Sequence, residues 1–169
     1  DLPMVAAPGT VFCYNNAASH LLAGVVEAST GMPIREYAES RLFAPSGITS
    51  ASWPQGNSGQ SWGGGSLFVT PLDLARLGVL FLQKGAWRGQ RVVSEGWVTA
   101  ATTSASELTV TKSPLDGYGY QWWTSSRGFF STRGHGGQLA VVVPKLDLVM
   151  VVTAAASDPQ TLEIAKILT

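Results

Sequence analysis

The sequence holds a single cysteine, Cys13, so no disulfide forms within the chain and cysteine pairing says nothing of redox compartment. Long apolar runs are missing too. The longest, Leu139–Pro144 and Leu148–Ala156, fall far short of the roughly 18–20 residues that span a bilayer, so they read as buried strands and no transmembrane segment is expected in this chain. Charge of one sign is also lacking: eleven Lys and Arg balance eleven Asp and Glu with no basic run, which excludes a nucleic-acid binder and favours a small-molecule partner. Neither an initiator Met nor a charged-then-apolar leader stands at Asp1, so any targeting segment lies upstream or has been removed, and the compartment is left open. No phosphate-loop or Gly-x-Gly-x-x-Gly pattern occurs, and no His, Cys or carboxylate cluster. No cofactor or metal is therefore expected, and His20 and Cys13 read as structural.

What remains is the composition of one globular domain: 169 residues, 45% hydrophobic against 13% charged. Leu21, Leu22, Val25 and Val26 form one stripe of a helix from Asn16 to Thr30, with Asn16 placed to cap it and Gly31 to end it. A shorter helix from Pro33 to about Phe43 takes Pro at its first position. Residues 49–66 are rich in Gly, Ser and Trp without a period and read as a loop long enough to be functional. Thr70-Pro71-Leu72-Asp73 is a helix entry, with Thr70 as cap and a run on to Gly85, and Ser94 caps a short helix through Trp97. After Gly117 the character turns to β: Tyr118–Thr124, Phe129–Thr132, Leu139–Val143 and Leu148–Ala154, closed by a helix over Glu163–Leu168. Helices followed by antiparallel strands make an α+β order, roughly 1–117 mainly helical and 118–169 strands with a terminal helix, with no internal repeat. The two long apolar strands are expected to pair as a hairpin across Pro144-Lys145-Leu146-Asp147.

Two short motifs could carry chemistry. Tyr14-Asn15-Asn16 precedes the first helix, where by itself Tyr14 reads as a half-buried aromatic and Asn16 as an ordinary cap. Gly134-His135-Gly136-Gly137 precedes the strongest strand; its glycines let a substrate carbonyl approach strand N–H groups, although a turn with a solvated His explains it equally. Together with Pro8-Gly9-Thr10, Gly63-Gly64-Gly65-Ser66-Leu67, Thr70–Arg76 and Tyr118–Trp123, these motifs follow the order and approximate spacing of the serine β-lactamase-like superfamily. Along its whole length the chain resembles the C-terminal part of class C β-lactamases, penicillin-binding DD-peptidases and related esterases and amidases. The fold implied is an antiparallel sheet flanked by helices, incomplete at the N-terminus. Also implied is a three-motif site: Ser-x-x-Lys for nucleophile and base, Tyr14 as proton shuttle with Asn16 bonding substrate and lysine, and His135 with Gly137 as the third motif. Gln138 would supply half of the oxyanion hole through its N–H; read from the residues themselves, Gly136 allows substrate approach, and Trp62, in the long loop, is a candidate cleft wall while the other tryptophans read as core. The resemblance implies an ester or amide substrate, β-lactam-like or peptidoglycan-like, and would allow a periplasmic, secreted or cytoplasmic setting.

The sequence departs from that pattern at the nucleophile. Lys84, Lys112, Lys145 and Lys166 have Phe81, Thr109, Val142 and Glu163 three residues earlier, so Ser-x-x-Lys is absent. The expectation is a fragment of a serine hydrolase, inactive alone and partnered by a missing N-terminal segment; the alternative is a non-catalytic binding or structural remnant of the fold. A rival nucleophile is Ser61 in Gly59-Gln60-Ser61-Trp62-Gly63, which matches the Gly-x-Ser-x-Gly of α/β-hydrolases but lacks their strand–turn–helix setting.

Overall fold

A computed structural model of the chain describes residues 3–107 and 114–157. Helix α1 (Asn16–Thr30) forms as its apolar spacing requires, and Gly31 closes it in the left-handed conformation at φ 69°. Its cap is Asn15, not the expected Asn16. Asn15 is extended, and its side chain accepts from the N–H groups of Ala17 (2.8 Å) and Ala18 (3.4 Å). Asn16 is already helical, so its side chain is released from capping.

Helix α2 (Ile34–Ala38) starts one residue later than expected, with Pro33 just outside it, and continues as a π-helical turn over Glu39–Phe43. That turn puts Phe43 beside Ala38 and Ile48 in a small core. Helix α3 (Pro71–Leu82) has the expected entry: the Thr70 hydroxyl accepts from the Asp73 N–H at 3.1 Å, with Pro71 in the first turn. It ends at Leu82, short of Gly85, which turns the chain into the hairpin of β1 (Ala86–Trp87) and β2 (Gln90–Arg91). Ser94 caps α4 (Glu95–Thr102), which runs past Trp97 by another turn.

Six strands then follow in a simple antiparallel meander: β3 (Ser106–Glu107), β4 (Gly117–Tyr118), β5 (Trp123–Thr124), β6 (Phe130–Gly134), β7 (Gln138–Val143) and β8 (Leu148–Val152). The β7–β8 hairpin is the one expected, running from Val143 opposite Leu148 to Leu139 opposite Val152. Tyr118–Thr124, however, is two strands rather than one. The turn between them is fixed from outside: the Tyr120 N–H bonds the Ala101 carbonyl at 3.0 Å, and a Cβ on Gly119 would lie 2.2 Å from that same oxygen. The helical end of α4 thus bends an otherwise β-like aromatic run.

Alternation along the strands splits the interior into two layers. Ala101, Trp122, Phe130 and Val142 pack with Phe81, Leu82 and Val149 on the helix side. Leu115, Phe129, Leu139 and Val141 pack with Trp123, Val143, Met150 and Val152 on the other. Helix α3 lies so close to the sheet that a Cβ on Gly78 would meet Val149 at 2.5 Å. The chain is therefore an α+β arrangement of helices against an antiparallel sheet. No described helix is long and apolar enough to cross a membrane. The helix expected at Glu163–Leu168 and the Thr109–Lys112 segment lie outside the described residues.

Candidate active site

The segment leading into α1 lays Phe12 and Tyr14 against the β4–β5 hairpin. Phe12 lies 4.9 Å from Tyr118 between ring centres, while Tyr14 meets Tyr118 edge-on at 6.2 Å and Trp123 at 5.5 Å. Tyr118 and Trp123 are themselves edge to face at 5.0 Å. Such pairs contribute about 0.5–1.5 kcal/mol each beyond burial, enough to hold Tyr14 while leaving it 49% exposed. Burial, with the neighbouring Tyr14 as a smaller cause, pushes the Tyr118 phenol up to about 12. Tyr118 is therefore a neutral donor at physiological pH, and its hydroxyl stands 3.4 Å from Gln121 Oε1. The same oxygen accepts from Ser19 of α1 at 3.0 Å. Gln121 holds both from a left-handed backbone (φ 64°), so the aromatic turn is latched to the helix that follows Tyr14.

The loop over 53–66 packs on the first turns of α1. The Trp53 indole N–H reaches the carbonyls of Trp62 and Gly65, both at 3.1 Å, and His20 Nδ1 accepts from the Gly63 N–H at 3.1 Å. Trp62 rests on the His20 ring at 4.3 Å and is 40% exposed. Glycine is required here by proximity, since a Cβ on Gly64 would lie 2.4 Å from the Asn16 carbonyl. Trp62 and Asn16 are thus brought to one end of α1. Ser61 is buried in this loop, 2% exposed, and donates to the Trp53 carbonyl at 3.1 Å. It sits at an isolated bridge to Gln55, not at a strand-to-helix elbow, so its hydroxyl does not present itself as a nucleophile.

The Gly-His-Gly-Gly motif forms the tight connection between β6 and β7, with Gly134 opposite Gln138. Gly136 (φ 79°) and Gly137 (φ 89°) both take the left-handed conformation that other residues adopt at a cost. His135 is exposed and Gly137 buried. The turn is pinned to the chain after β8: the Ala156 N–H donates to the Gly136 carbonyl at 2.8 Å, and the Gln138 amide donates to the carbonyls of Ala154 and His135. The side chain of Gln138 is therefore occupied in holding the turn. Just before it, the Arg133 guanidinium lies 4.9 Å from the Trp123 ring centre.

Two groupings result. Tyr14 is connected through Trp123 to the strand end that carries His135, and Asn16 is connected through α1 to Trp62. Among the described residues no hydrogen bond joins Tyr14, Asn16 and His135 directly. Sequence reading missed Tyr118 and Trp123 as neighbours of Tyr14, Arg133 as a neighbour of Trp123, and His20 as the support of Trp62. The aromatic density of Tyr118–Trp123 was the available signal for the first two; the cross-strand position of Arg133 left none. Among the described residues no three His, Cys, Asp or Glu side chains converge.

The Beta-lactamase family model matches residues 1–167. The 6-aminohexanoate-dimer hydrolase of Paenarthrobacter ureafaciens is 32% identical over 159 residues, covering 89% of this chain and 41% of that protein. Among solved structures, a Bacillus anthracis protein provisionally named a 6-aminohexanoate-dimer hydrolase superposes with a TM-score of 0.80 at 24% identity, over 98% of this chain and 45% of that one. A penicillin-binding protein from Bacillus halodurans superposes with a TM-score of 0.77 at 21% identity, over 99% of this chain and 59% of that one. The chain spans less than half the length of the curated relative and of the first of these structures.

Proposed function

The chain belongs to the Beta-lactamase family of hydrolases, and from that premise we propose that the protein carrying it opens an ester or amide carbonyl through a serine acyl-enzyme, with Tyr14 moving the proton. The observation that carries this reading is the setting of Tyr14: half exposed, fixed by Tyr118 and Trp123, and followed by an Asn16 released from capping because Asn15 does that work. A free phenol titrates near 10, so a phenol used as a base at neutral pH needs a cation beside it. No described lysine lies next to Tyr14, and none in the chain belongs to a Ser-x-x-Lys. The nucleophile and that lysine therefore come from a segment outside this chain.

In the reaction proposed, the serine hydroxyl attacks the carbonyl and its proton passes to the Lys–Tyr14 pair. The negative oxygen of the tetrahedral intermediate is held by backbone N–H groups, one of them that of Gln138. Collapse expels the alcohol or amine, which takes the proton, and water then releases the acid and regenerates serine. The curated relative named for 6-aminohexanoate dimer points to a short amide or ester as substrate class. The apolar stripe of α1 supports a covering segment: Leu21 is 72%, Leu22 50% and Val25 63% exposed. Such a stripe on a helix is normally buried.

A fluorophosphonate probe tests the reading. The full-length protein is expected to be labelled at one serine, three residues before a lysine and upstream of Tyr14, and to hydrolyse p-nitrophenyl butyrate. The 169-residue chain alone should do neither. Labelling of the isolated chain that disappears in Ser61→Ala would overturn the assignment, and an unlabelled, inactive full-length protein would favour a binding remnant of the fold.

A further inference from the structure

Gln121 stands in the left-handed conformation at φ 64°, where the Cβ of any residue but glycine crowds the backbone. Four other non-glycine residues share that region: Ser66, Lys84, Arg88 and Asp147. Among the described residues, Gln121 alone of the five has a side chain that hydrogen-bonds to α1. The turn in which it sits is closed without that side chain. The Gly119 N–H bonds the Trp122 carbonyl at 2.8 Å, and the Tyr120 N–H bonds the Ala101 carbonyl at 3.0 Å. Glycine at 121 would close the same turn with less strain, so the turn itself does not call for glutamine. Strain of this kind persists where surrounding contacts hold it, and it gathers at functional sites.

What the side chain does is bridge two parts of the site. Its Oε1 accepts from the Ser19 hydroxyl at 3.0 Å and stands 3.4 Å from the Tyr118 hydroxyl. Ser19 lies on the first turns of α1, which carry Asn16 and, through His20 and the close approach of Gly64, the Trp62 loop. Tyr118 belongs to the β4–β5 hairpin, on which Tyr14 packs. Among the described residues the Ser19–Gln121 bond is the only hydrogen bond between α1 and that hairpin. The two groupings of the site thus meet at one amide oxygen. Ring packing sets how near Tyr14 lies to the hairpin; a hydrogen bond, being directional, sets how α1 is turned against it.

We propose that Gln121 is a positioning residue for the acyl-transfer reaction: it fixes α1, with Asn16, against the hairpin that holds Tyr14, and does so from a backbone conformation that glycine would hold with less strain. The assignment rests on the hydrolase reading and extends it. Rate and stability therefore respond to this position in different senses, whereas a residue that only builds the turn would move them together.

The test uses the full-length protein and p-nitrophenyl butyrate, with the acylation rate at saturating substrate and the urea midpoint read side by side. Gln121→Gly is expected to slow acylation by about tenfold or more, as befits reacting groups held out of line. Its unfolding midpoint should be unchanged or higher, because glycine relieves the left-handed strain. Ser19→Ala leaves the turn untouched and should slow acylation to a similar extent. The double variant should be no slower than either single one, since all three lose the same bond. A smaller loss in Gln121→Gly, a lower midpoint, an unaffected Ser19→Ala, or single losses that multiply in the double variant would each overturn the proposal and leave Gln121 a turn residue. A wild type that does not hydrolyse the ester would instead sink the hydrolase reading, and this assignment with it.

Discussion

Similar aliphatic side chains meet opposite fates in two parts of the molecule. In the sheet and α3, Leu80, Leu139 and Val142 are 0% exposed, and the helix approaches until Gly78 touches Val149. In α1 only Ala23 is buried, while Leu21, Leu22 and Val25 stand open. The two parts are also held differently. The sheet layer is closed by apolar packing on both faces. Helix α1 is tied down by polar contacts along its length: Ser19 to Gln121, His20 to Gly63, and Glu27 to Gln60 and the Ile34 N–H. The sheet is thus a finished scaffold. The helix carrying Asn16 is positioned by a few directional bonds, and its apolar stripe is left open to solvent.

The contrast breaks most visibly in the finished half. Leu139→Ala should cost about 3–4 kcal/mol, the range for deleting a fully buried leucine, seen as a lower urea midpoint with an unchanged slope. A loss below about 1 kcal/mol would mean the layer is looser than described. Next comes the buried carboxylate of Asp73, 1% exposed, at the base of α3. Burial alone would raise it, but hydrogen bonds from Ser50, Thr70 and Arg76 and the charge of Arg76 outweigh that and hold it below the usual carboxylate value. Asp73→Ala should therefore cost about 3 kcal/mol, the scale for stripping one partner from a buried pair. Because the folded group is the stronger acid, its stabilisation is present above the ordinary aspartate value of about 4 and is lost as pH falls through the lower folded value. Acid titration of stability should show that loss in the wild type and not in the variant.

Smaller effects sharpen the account of α1. Asn15→Ala should cost about 1 kcal/mol by removing the cap, whereas Asn16→Ala should leave stability within about 0.5 kcal/mol. Equal costs would restore Asn16 as a capping residue. Least of all, Leu21→Ser in this chain should shift stability by under about 0.5 kcal/mol. The same change in the full-length protein should cost about 2 kcal/mol, if a covering segment buries that leucine.

What could be read in the sequence was mostly what is decided locally. Thr70, Pro71 and Asp73 specify a helix start among themselves, and they form one. The β7–β8 hairpin follows from two apolar runs and a polar interruption, and it pairs as expected. Asn15 and Asn16 were indistinguishable as caps, because the choice depends on where the helix phase begins. The bend at 119–122 was hidden because the Ala101 carbonyl, which fixes it, belongs to α4. Arg133 over Trp123 depends on the register of β5 against β6, which no local pattern encodes. The stripe on α1 was legible as a face to be covered; the sequence carries no information on what covers it.

In the reaction proposed, Tyr14 acts on rate rather than stability, moving a proton instead of merely packing. The direct measurement is acylation of the full-length protein by p-nitrophenyl butyrate, wild type against Tyr14→Phe, with unfolding followed in parallel. Phenylalanine keeps the ring contacts with Tyr118 and Trp123 and removes only the hydroxyl. Acylation is expected to slow by at least about a hundredfold, the scale of a general acid–base group, with the unfolding midpoint nearly unchanged. Wild-type turnover at saturating substrate in Tyr14→Phe would contradict the claim and reduce Tyr14 to one more ring in an aromatic cluster.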